Sequence, residues 1–198
     1  MQNKNFDIFA FLESRPLSWS ALSSFEYDKE QWYRNYILGE RDQSKEMDFG
    51  SYVDKRIQND PDFIPKLPRY PEMQYKMRAV FNRIPLVGIP DGLCLTNKLL
   101  ADYKTGKKAW DKKRADETGQ LTFYLFLLYI IKKEKPEDYK LLIHWLPTCE
   151  LGDFSIALKD ENDVRTFETK RSMKHLLEFG ARINKTVLEM QDYVRNHN

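Results

Sequence analysis

The sequence has few cysteines, no long apolar run and almost no excess charge, and each shortage excludes a class of protein. Its two cysteines, Cys94 and Cys149, are far apart and form no CxxC unit. They are too few for a four-cysteine zinc site or an iron–sulphur cluster, so neither is expected. A single disulfide is open in principle, but the preferred interpretation is two buried free thiols in a reducing compartment.

Membrane insertion and secretion are also disfavoured. The longest apolar stretch, Phe123–Ile131, is too short to cross a bilayer, which takes about 20 residues. The first residues carry Asp7 and Glu13 and lack the basic start and apolar run of a signal peptide. We therefore expect a cytoplasmic protein without membrane contact. The 32 basic and 30 acidic residues nearly balance, so a phosphate-binding surface requires local clustering of charge.

The composition and length of the chain predict one folded domain. Hydrophobic residues make up 41% and charged residues 31% of the 198 positions, as in a globular protein with a real core. We expect a single domain over 1–198, with a helical part over about 1–80 and a catalytic core over about 81–198.

Helical signals dominate the first part of the chain. Ser18 or Ser20 can cap a helix, and Glu30–Leu38 places aromatic side chains on one helical face before a glycine stop. A second helix is expected over Asp48–Asn59. The segment 60–71 holds four prolines and is expected to be a loop or an extended connection.

From residue 84 onward the pattern changes to short strands and two long helices. The strands are predicted over Pro85–Ile89, Gly92–Thr96, Lys98–Tyr103, Tyr139–Leu146, Phe154–Leu158 and, as a further candidate, Val164–Thr169. One helix is predicted over Arg114–Lys133, buried because it is apolar on nearly every side, and another closes the chain. This order predicts an α/β fold with a central mixed β-sheet flanked by α-helices.

Charged residues at the predicted strand ends are the candidates for chemistry. Asp91 lies at a bend between two strands, and Asp102 and Lys104 lie at the end of the next strand. Side chains on a strand alternate, so Asp102 and Lys104 share one face while Tyr103 points away. An antiparallel return of the chain would bring Asp91 beside Asp102.

Two carboxylates and an ammonium group at a strand end suit the hydrolysis of a phosphodiester. Carboxylate oxygens bind Mg²⁺ or Mn²⁺, which can polarise a phosphate and activate water, and a lysine can orient that water. Gln120 and Tyr124 lie one helical turn apart on one face and could reach the same pocket. Each fragment alone is more often a turn or a solvated ion pair, so the combination is what favours a site.

Three segments together resemble RecB-type members of the PD-(D/E)XK nuclease superfamily. They are GIPD at 88–91, ADYKTG at 101–106 and QLTFY at 120–124. The serine-rich segment at 17–22 and the aromatic–basic segment at 32–36 are also similar to that family's N-terminal region. The resemblance implies a restriction-endonuclease-like core and a metal-dependent DNA nuclease, with exonuclease action in recombination, repair or phage DNA processing.

The resemblance also implies roles for individual residues. Asp91 and Asp102 would bind the metal, with the Tyr103 carbonyl as a candidate third ligand, and Lys104 would be catalytic. Mg²⁺ would be the cofactor, replaceable by Mn²⁺, and DNA the partner. A recombination or single-strand-binding protein is a further candidate partner.

Three further residues complete the expected site. Gln120 and Tyr124 would support the site or contact DNA. Relatives often carry Gly-x-x-x-His with a metal-binding histidine, whereas here Gly50 leads to Asp54. Asp54 could bind Mg²⁺ directly or through water; a solvated helix residue is an equally open interpretation.

Several alternatives stay open in the sequence. A catalytically silent nucleic-acid-binding or scaffold module would keep the fold without turnover, although intact Asp91, Asp102 and Lys104 argue against it. RNA or branched DNA could replace linear DNA as substrate. A basic group after the central motif could clamp phosphates or simply be solvated, and consists of Lys107, Lys108, Lys112, Lys113 and Arg114. His144 and His175 are expected to be structural.

Overall fold

A computed structural model describes residues 5–40, 44–152, 155–160 and 163–197. The strands in these ranges are β1 (Glu72–Met73), β2 (Met77–Phe81), β3 (Ile84–Gly88), β4 (Gly92–Cys94), β5 (Leu99–Gly106), β6 (Lys140–Glu150), β7 (Ile156–Leu158) and β8 (Arg165–Thr169). The helices are α1 (Ile8–Ser14), α2 (Trp19–Tyr27), α3 (Lys29–Trp32), α4 (Lys45–Asn59), α5 (Lys112–Glu117), α6 (Gly119–Lys132) and α7 (Met173–Asn196). A π-helical segment, Tyr33–Leu38, continues α3, and a 3₁₀ turn, Pro136–Asp138, precedes β6.

One mixed sheet organises the structure. Its strand order is β1–β4–β5–β6–β7, and β8 pairs with β6. The central pair β5–β6 is parallel, and the other pairs in this sheet are antiparallel. A parallel pair needs a long crossover, which α5 and α6 supply. The predicted α/β class with a central mixed sheet is confirmed.

Helices cover both faces of this sheet. On one face, α6 and α7 share a buried cluster with Leu100 and Ile143. On the other face, α4 packs Val53 and Ile57 into a second cluster with Leu146. The end of β5 therefore lies between two helical layers, where side chains from α4, β5 and α6 can meet.

Most of the helices begin at a polar residue whose side chain caps the first turn. Ser18, Asp28, Ser44 and Asp111 each accept a hydrogen bond from a backbone N–H in the first turn of the following helix. Gly39, with φ of 78°, ends the helical segment after α3 and confirms the predicted glycine stop. The connection at 60–71 contains no helix or strand, as predicted.

The prediction of a single helix over Arg114–Lys133 is wrong, because the helix is interrupted at Thr118 and forms two helices, α5 and α6. Thr118 has an extended backbone, with ψ of 124°. The buried guanidinium of Arg171 donates to the carbonyls of Ala115 and Thr118, so a distant residue stabilises the break. The predicted burial of the second part is confirmed, since the side chains from 121 to 128 are all buried.

A separate hairpin was not expected from the sequence. Strands β2 and β3 form a two-stranded sheet of their own within the described part of the chain, and β3 also makes a single β-bridge to Leu17. Their turn uses Asn82 and Arg83, both with positive φ, whereas Asn-Gly or Asp-Gly is the usual sequence signal. Because β3 pairs with β2 and not with β4, the bend at Asp91 links two sheets and is not a hairpin.

The remaining sequence expectations have mixed outcomes. Helix α1 and strand β1 were not predicted, and the part expected to be helical also contributes β1 and β2. Phe154 lies outside the described residues, and the strand predicted there is observed over Ile156–Leu158.

Both cysteines are free, but only Cys94 is buried, while Cys149 is partly exposed. Among the described helices, none has the length and apolar composition that a membrane crossing needs.

His144 occupies the buried centre of β6, on the face opposite Asp102. Its ring bridges two hydroxyls, with Nε2 2.6 Å from the Tyr70 oxygen and Nδ1 2.8 Å from the Thr166 oxygen. Burial lowers the pKa of His144 to about 4. His175 joins Ser172 in a capping box at the start of α7. Both histidines therefore hold local structure.

We expect His144 to make the fold sensitive to mild acid. Because its pKa is lowered in the folded state, the unfolded chain binds a proton first, so stability falls as pH drops below about 6.5. The free energy of unfolding should fall by up to about 2 kcal/mol between pH 7 and pH 5. Urea denaturation at both pH values measures this, and His144→Gln should flatten the dependence. An equal pH slope in both proteins would contradict the assignment.

Candidate active site

Strand register places Asp91 beside Asp102. Strands β4 and β5 are antiparallel, with Gly92 opposite Ala101. Asp91, just before Gly92, therefore lies opposite Asp102, just after Ala101. Asp91 Oδ2 accepts a hydrogen bond of 2.6 Å from the backbone N–H of Tyr103. Burial and the charge of Asp102 raise the pKa of Asp91 well above its usual value.

Lys104 supplies the positive charge next to these carboxylates. Its Nζ lies 2.5 Å from Oδ2 of Asp102, and Asp102 is only 1% exposed. Within the described part of the chain, this ion pair is the polar contact recorded for the buried Oδ2. The alternation predicted for Asp102 and Lys104 is therefore present in the structure.

Helix α6 contributes an amide that connects the charged pair to a phenol. Gln120 Oε1 accepts from Lys104 Nζ at 2.7 Å, while its Nε2 donates to Asp102 Oδ1 at 2.9 Å. The same nitrogen donates to the Tyr124 hydroxyl at 2.8 Å. Burial, followed by the charge of Asp102, raises the pKa of Tyr124, which keeps the phenol neutral. The four side chains form one connected network.

Two glycines allow the close packing around Asp91. A Cβ at Gly88 would lie 2.5 Å from Leu127 Cδ1 and 2.9 Å from Tyr124 Cδ1. A Cβ at Gly92 would lie 2.1 Å from Tyr70 Cδ2. Any larger residue at either position would push α6 or Tyr70 away from the sheet. The Gly-Ile-Pro-Asp-Gly pattern thus reflects close contact on both sides of Asp91.

Asp54 reaches the same site from α4. Gln74 Nε2 donates to Asp54 Oδ1 at 3.1 Å and to Asp91 Oδ1 at 2.8 Å. Gln58 donates to the other Asp54 oxygen at 3.1 Å. Burial raises the pKa of Asp54, with a further contribution from Asp102. The structure therefore places Asp54 with the predicted metal ligands and not on a solvated helix face.

Gln74 and Arg171 are the residues that sequence reasoning missed. Gln74 stands alone after a two-residue strand, and no motif points to it. Arg171 is buried and donates to the hydroxyls of Thr122 and Thr169 besides the carbonyls at the α5–α6 break. By fixing the start of α6, Arg171 positions Gln120.

Tyr103 joins the two faces of the sheet. Its backbone N–H binds Asp91, while its side chain lies on the opposite face, where the hydroxyl donates to the Pro68 carbonyl at 2.7 Å. Its ring is 5.6 Å from that of His144. The Tyr103 carbonyl remains a candidate metal ligand.

The basic group after β5 is largely paired. Lys107, Lys112 and Lys113 form exposed ion pairs with neighbouring carboxylates. The Arg114 guanidinium lies 4.1 Å from the centre of the Trp110 ring. Exposed pairs of this kind are weak and can exchange partners, so the phosphate clamp stays a prediction.

The donor set fits a hard divalent cation. The buried Asp102 Oδ2 is paired with the Lys104 ammonium, and the carboxyl groups of Asp91, Asp102 and Asp54 line one cavity of about 280 Å³. Among the described residues, no three His, Cys, Asp or Glu side chains are already gathered in a metal-binding geometry. A backbone carbonyl and water would have to complete the shell, as Mg²⁺ usually requires.

Solved structures of similar fold include several exonucleases. An exonuclease candidate from Eubacterium rectale has a TM-score of 0.55 at 15% identity, covering 99% of this chain and 86% of that one. A phage-related exonuclease from Haemophilus somnus 129PT has a TM-score of 0.51 at 14% identity, covering 94% and 86%. An alkaline exonuclease from Laribacter hongkongensis has a TM-score of 0.53 at 10% identity, covering 93% of each chain.

The chain shares the fold of these solved exonuclease structures. The resemblance indicated by the motifs is thus confirmed at the level of fold. No protein-family profile matches the sequence, and no curated protein matches it at a significant level. A shared fold does not by itself assign roles to individual residues.

Removing one charge of the Asp102–Lys104 pair should lower the free energy of unfolding by a measurable amount. Lys104→Met should lower the free energy of unfolding by about 2 kcal/mol in EDTA, because the buried Asp102 loses the ammonium that is paired with it. Adding Asp102→Asn should recover most of that loss. Urea denaturation measures both, with Lys174→Met as an exposed control, since Lys174 is 82% exposed. Wild-type stability in Lys104→Met would contradict a buried charge pair.

Proposed function

We propose that this chain is a metal-dependent DNA nuclease that hydrolyses phosphodiester bonds as an exonuclease. The observation that carries the proposal is the meeting of Asp91 with Asp102 and Lys104 in the middle of β5, beside a cavity. Two carboxylates and an ammonium group in this arrangement are the groups that phosphodiester hydrolysis needs. The exonuclease names of the structures that share the fold support it.

The proposed metal ligands are Asp91 and Asp102, with the Tyr103 carbonyl and Asp54 as further ligands. Their hard oxygen atoms suit Mg²⁺, with Mn²⁺ able to substitute. When bound, the ion would polarise the phosphate, lower the pKa of water and stabilise the leaving oxygen.

Lys104 is the proposed catalytic residue. Its Nζ is held from two sides, by Asp102 and by Gln120. An ammonium fixed in this way can orient the attacking water and offset charge that develops on the phosphate. Because the position is set before substrate binds, little reorganisation is needed during the reaction.

Gln120 and Tyr124 are proposed to hold Lys104 and to contact the substrate. The Tyr124 oxygen accepts a hydrogen bond from Gln120, so its own proton can be donated to a phosphate oxygen in the cavity. The raised pKa of Tyr124 keeps that proton in place. Gln120 links the phenol to the charged pair.

The proposed setting follows from the resemblance. Recombination, repair or phage DNA processing is the proposed context, and a phage-related exonuclease shares the fold. A recombination or single-strand-binding protein is the proposed partner. The cytoplasm is the proposed compartment, in keeping with two free cysteines.

Removal of either charged group should abolish cleavage. Asp102→Asn and Lys104→Ala should each lower the rate of DNA cleavage with Mg²⁺ at least about 100-fold, because electrostatic stabilisation is lost. Gel assays with labelled duplex measure the rate, and binding in Ca²⁺ should remain. Lys174→Ala should keep wild-type activity. If the wild type binds DNA but never cleaves it with Mg²⁺ or Mn²⁺, the silent-module alternative is correct.

An exonuclease needs a DNA end. With Mg²⁺, linear duplex should be degraded to completion while covalently closed circular duplex in the same tube survives. Asp102→Asn should leave both intact, which excludes a contaminating nuclease. Linearisation of the circle would assign endonuclease action to the same site.

A further inference from the structure

Gln74 lies between two carboxylates that come from separate parts of the chain. Asp54 belongs to α4, and Asp91 belongs to the bend before β4. The Nε2 group of Gln74 has two hydrogens and donates one to each carboxylate, at 3.1 and 2.8 Å. The opposite amide orientation would turn Oε1 toward two acids, so the hydrogen bonds define the orientation.

The backbone of Gln74 is also tied to the site. Its N–H donates to the Asp91 carbonyl at 3.2 Å, and its φ of 53° lies in the left-handed region. A residue with a side-chain Cβ rarely adopts this conformation, and glycine adopts it without strain. A strained backbone that places one amide between two acids points to a role for that amide.

The hydrogen bonds leave room for a cation. Asp54 accepts from Gln58 and Gln74, and Asp91 accepts from Tyr103 and Gln74. Each oxygen thus accepts one hydrogen bond and keeps a second acceptor position. A cation can use those positions while Gln74 keeps both carboxylates in place.

We propose that Gln74 is a positioning residue that joins Asp54 to Asp91 as one cation-binding pair. This inference rests on the proposed function, because it takes the cation to be the metal of the nuclease site. Without the amide, two acids would repel each other and Asp54 would turn toward solvent. Part of the binding energy of the cation would then be used to bring Asp54 and Asp91 together, so the cation would bind more weakly.

The test measures Mn²⁺ binding in the absence of DNA, by electron paramagnetic resonance of free Mn²⁺. Gln74→Gly should bind Mn²⁺ at least about 10-fold more weakly than the wild type, as for other partners of ligating carboxylates. Glycine suits the left-handed backbone, so the urea midpoint should not fall. Gln58→Ala is the matched control, because that exposed amide donates to Asp54 and, among the described residues, has no recorded hydrogen bond to Asp91; its Mn²⁺ affinity should fall clearly less than that of Gln74→Gly.

A double-variant cycle identifies the partner through which Gln74 acts. Asp54→Asn should also weaken Mn²⁺ binding, and Gln74→Gly should add little to it, because both changes remove the same pair. Wild-type affinity in Gln74→Gly, or full additivity with Asp54→Asn, would overturn the inference while the proposed nuclease remains. No Mn²⁺ binding by the wild type would overturn both.

Discussion

The site depends on placing two acidic side chains next to each other beside the central strand β5. The register of β4 and β5 sets Asp91 beside Asp102, and Asp102 is almost fully buried. Like charges in a poorly solvated place are unfavourable, so the surrounding groups must compensate. Lys104 supplies positive charge, and amide and backbone donors face the carboxylate oxygens. The need for that compensation explains why so many polar groups converge here.

The scaffold behind these groups is apolar and closely packed, which limits how far they can move. Gly88 lets α6 lie directly against the hairpin of β2 and β3, and Gly92 lets Tyr70 lie against β4. Arg171 fixes the break before α6 from the far side. Gln120 therefore projects from a rigid helix start. A rigid frame holds charged groups at the distances that catalysis requires, which flexible loops cannot do.

The sequence revealed the parts of the site that follow a local period. Asp102 and Lys104 alternate along a strand, and Gln120 and Tyr124 are one helical turn apart, so their shared faces follow from geometry. Gln74 and Arg171 follow no such period: the two acids that Gln74 joins lie 20 and 17 residues from it, and the carbonyls that Arg171 holds at the α5–α6 break lie 56 and 53 residues from it. The hairpin turn at Asn82 lacked the usual glycine, and the break at Thr118 depends on Arg171. Gln74, Arg171 and the break at Thr118 could not be predicted from the sequence, because each depends on hydrogen bonds between distant parts of the chain.

Asp54 changes the chemistry that the resemblance implies. Where relatives often carry a neutral imidazole, this chain places a third carboxylate, and Gln74 ties it to Asp91. Replacing nitrogen by oxygen shifts the preference of a site from zinc or iron toward Mg²⁺ and Mn²⁺. When all three carboxyl groups are ionised, the ammonium paired with Asp102 leaves excess negative charge, which favours the divalent ion of the proposed function. In the proposed nuclease, a bound cation would stabilise the folded site as well as serve the reaction.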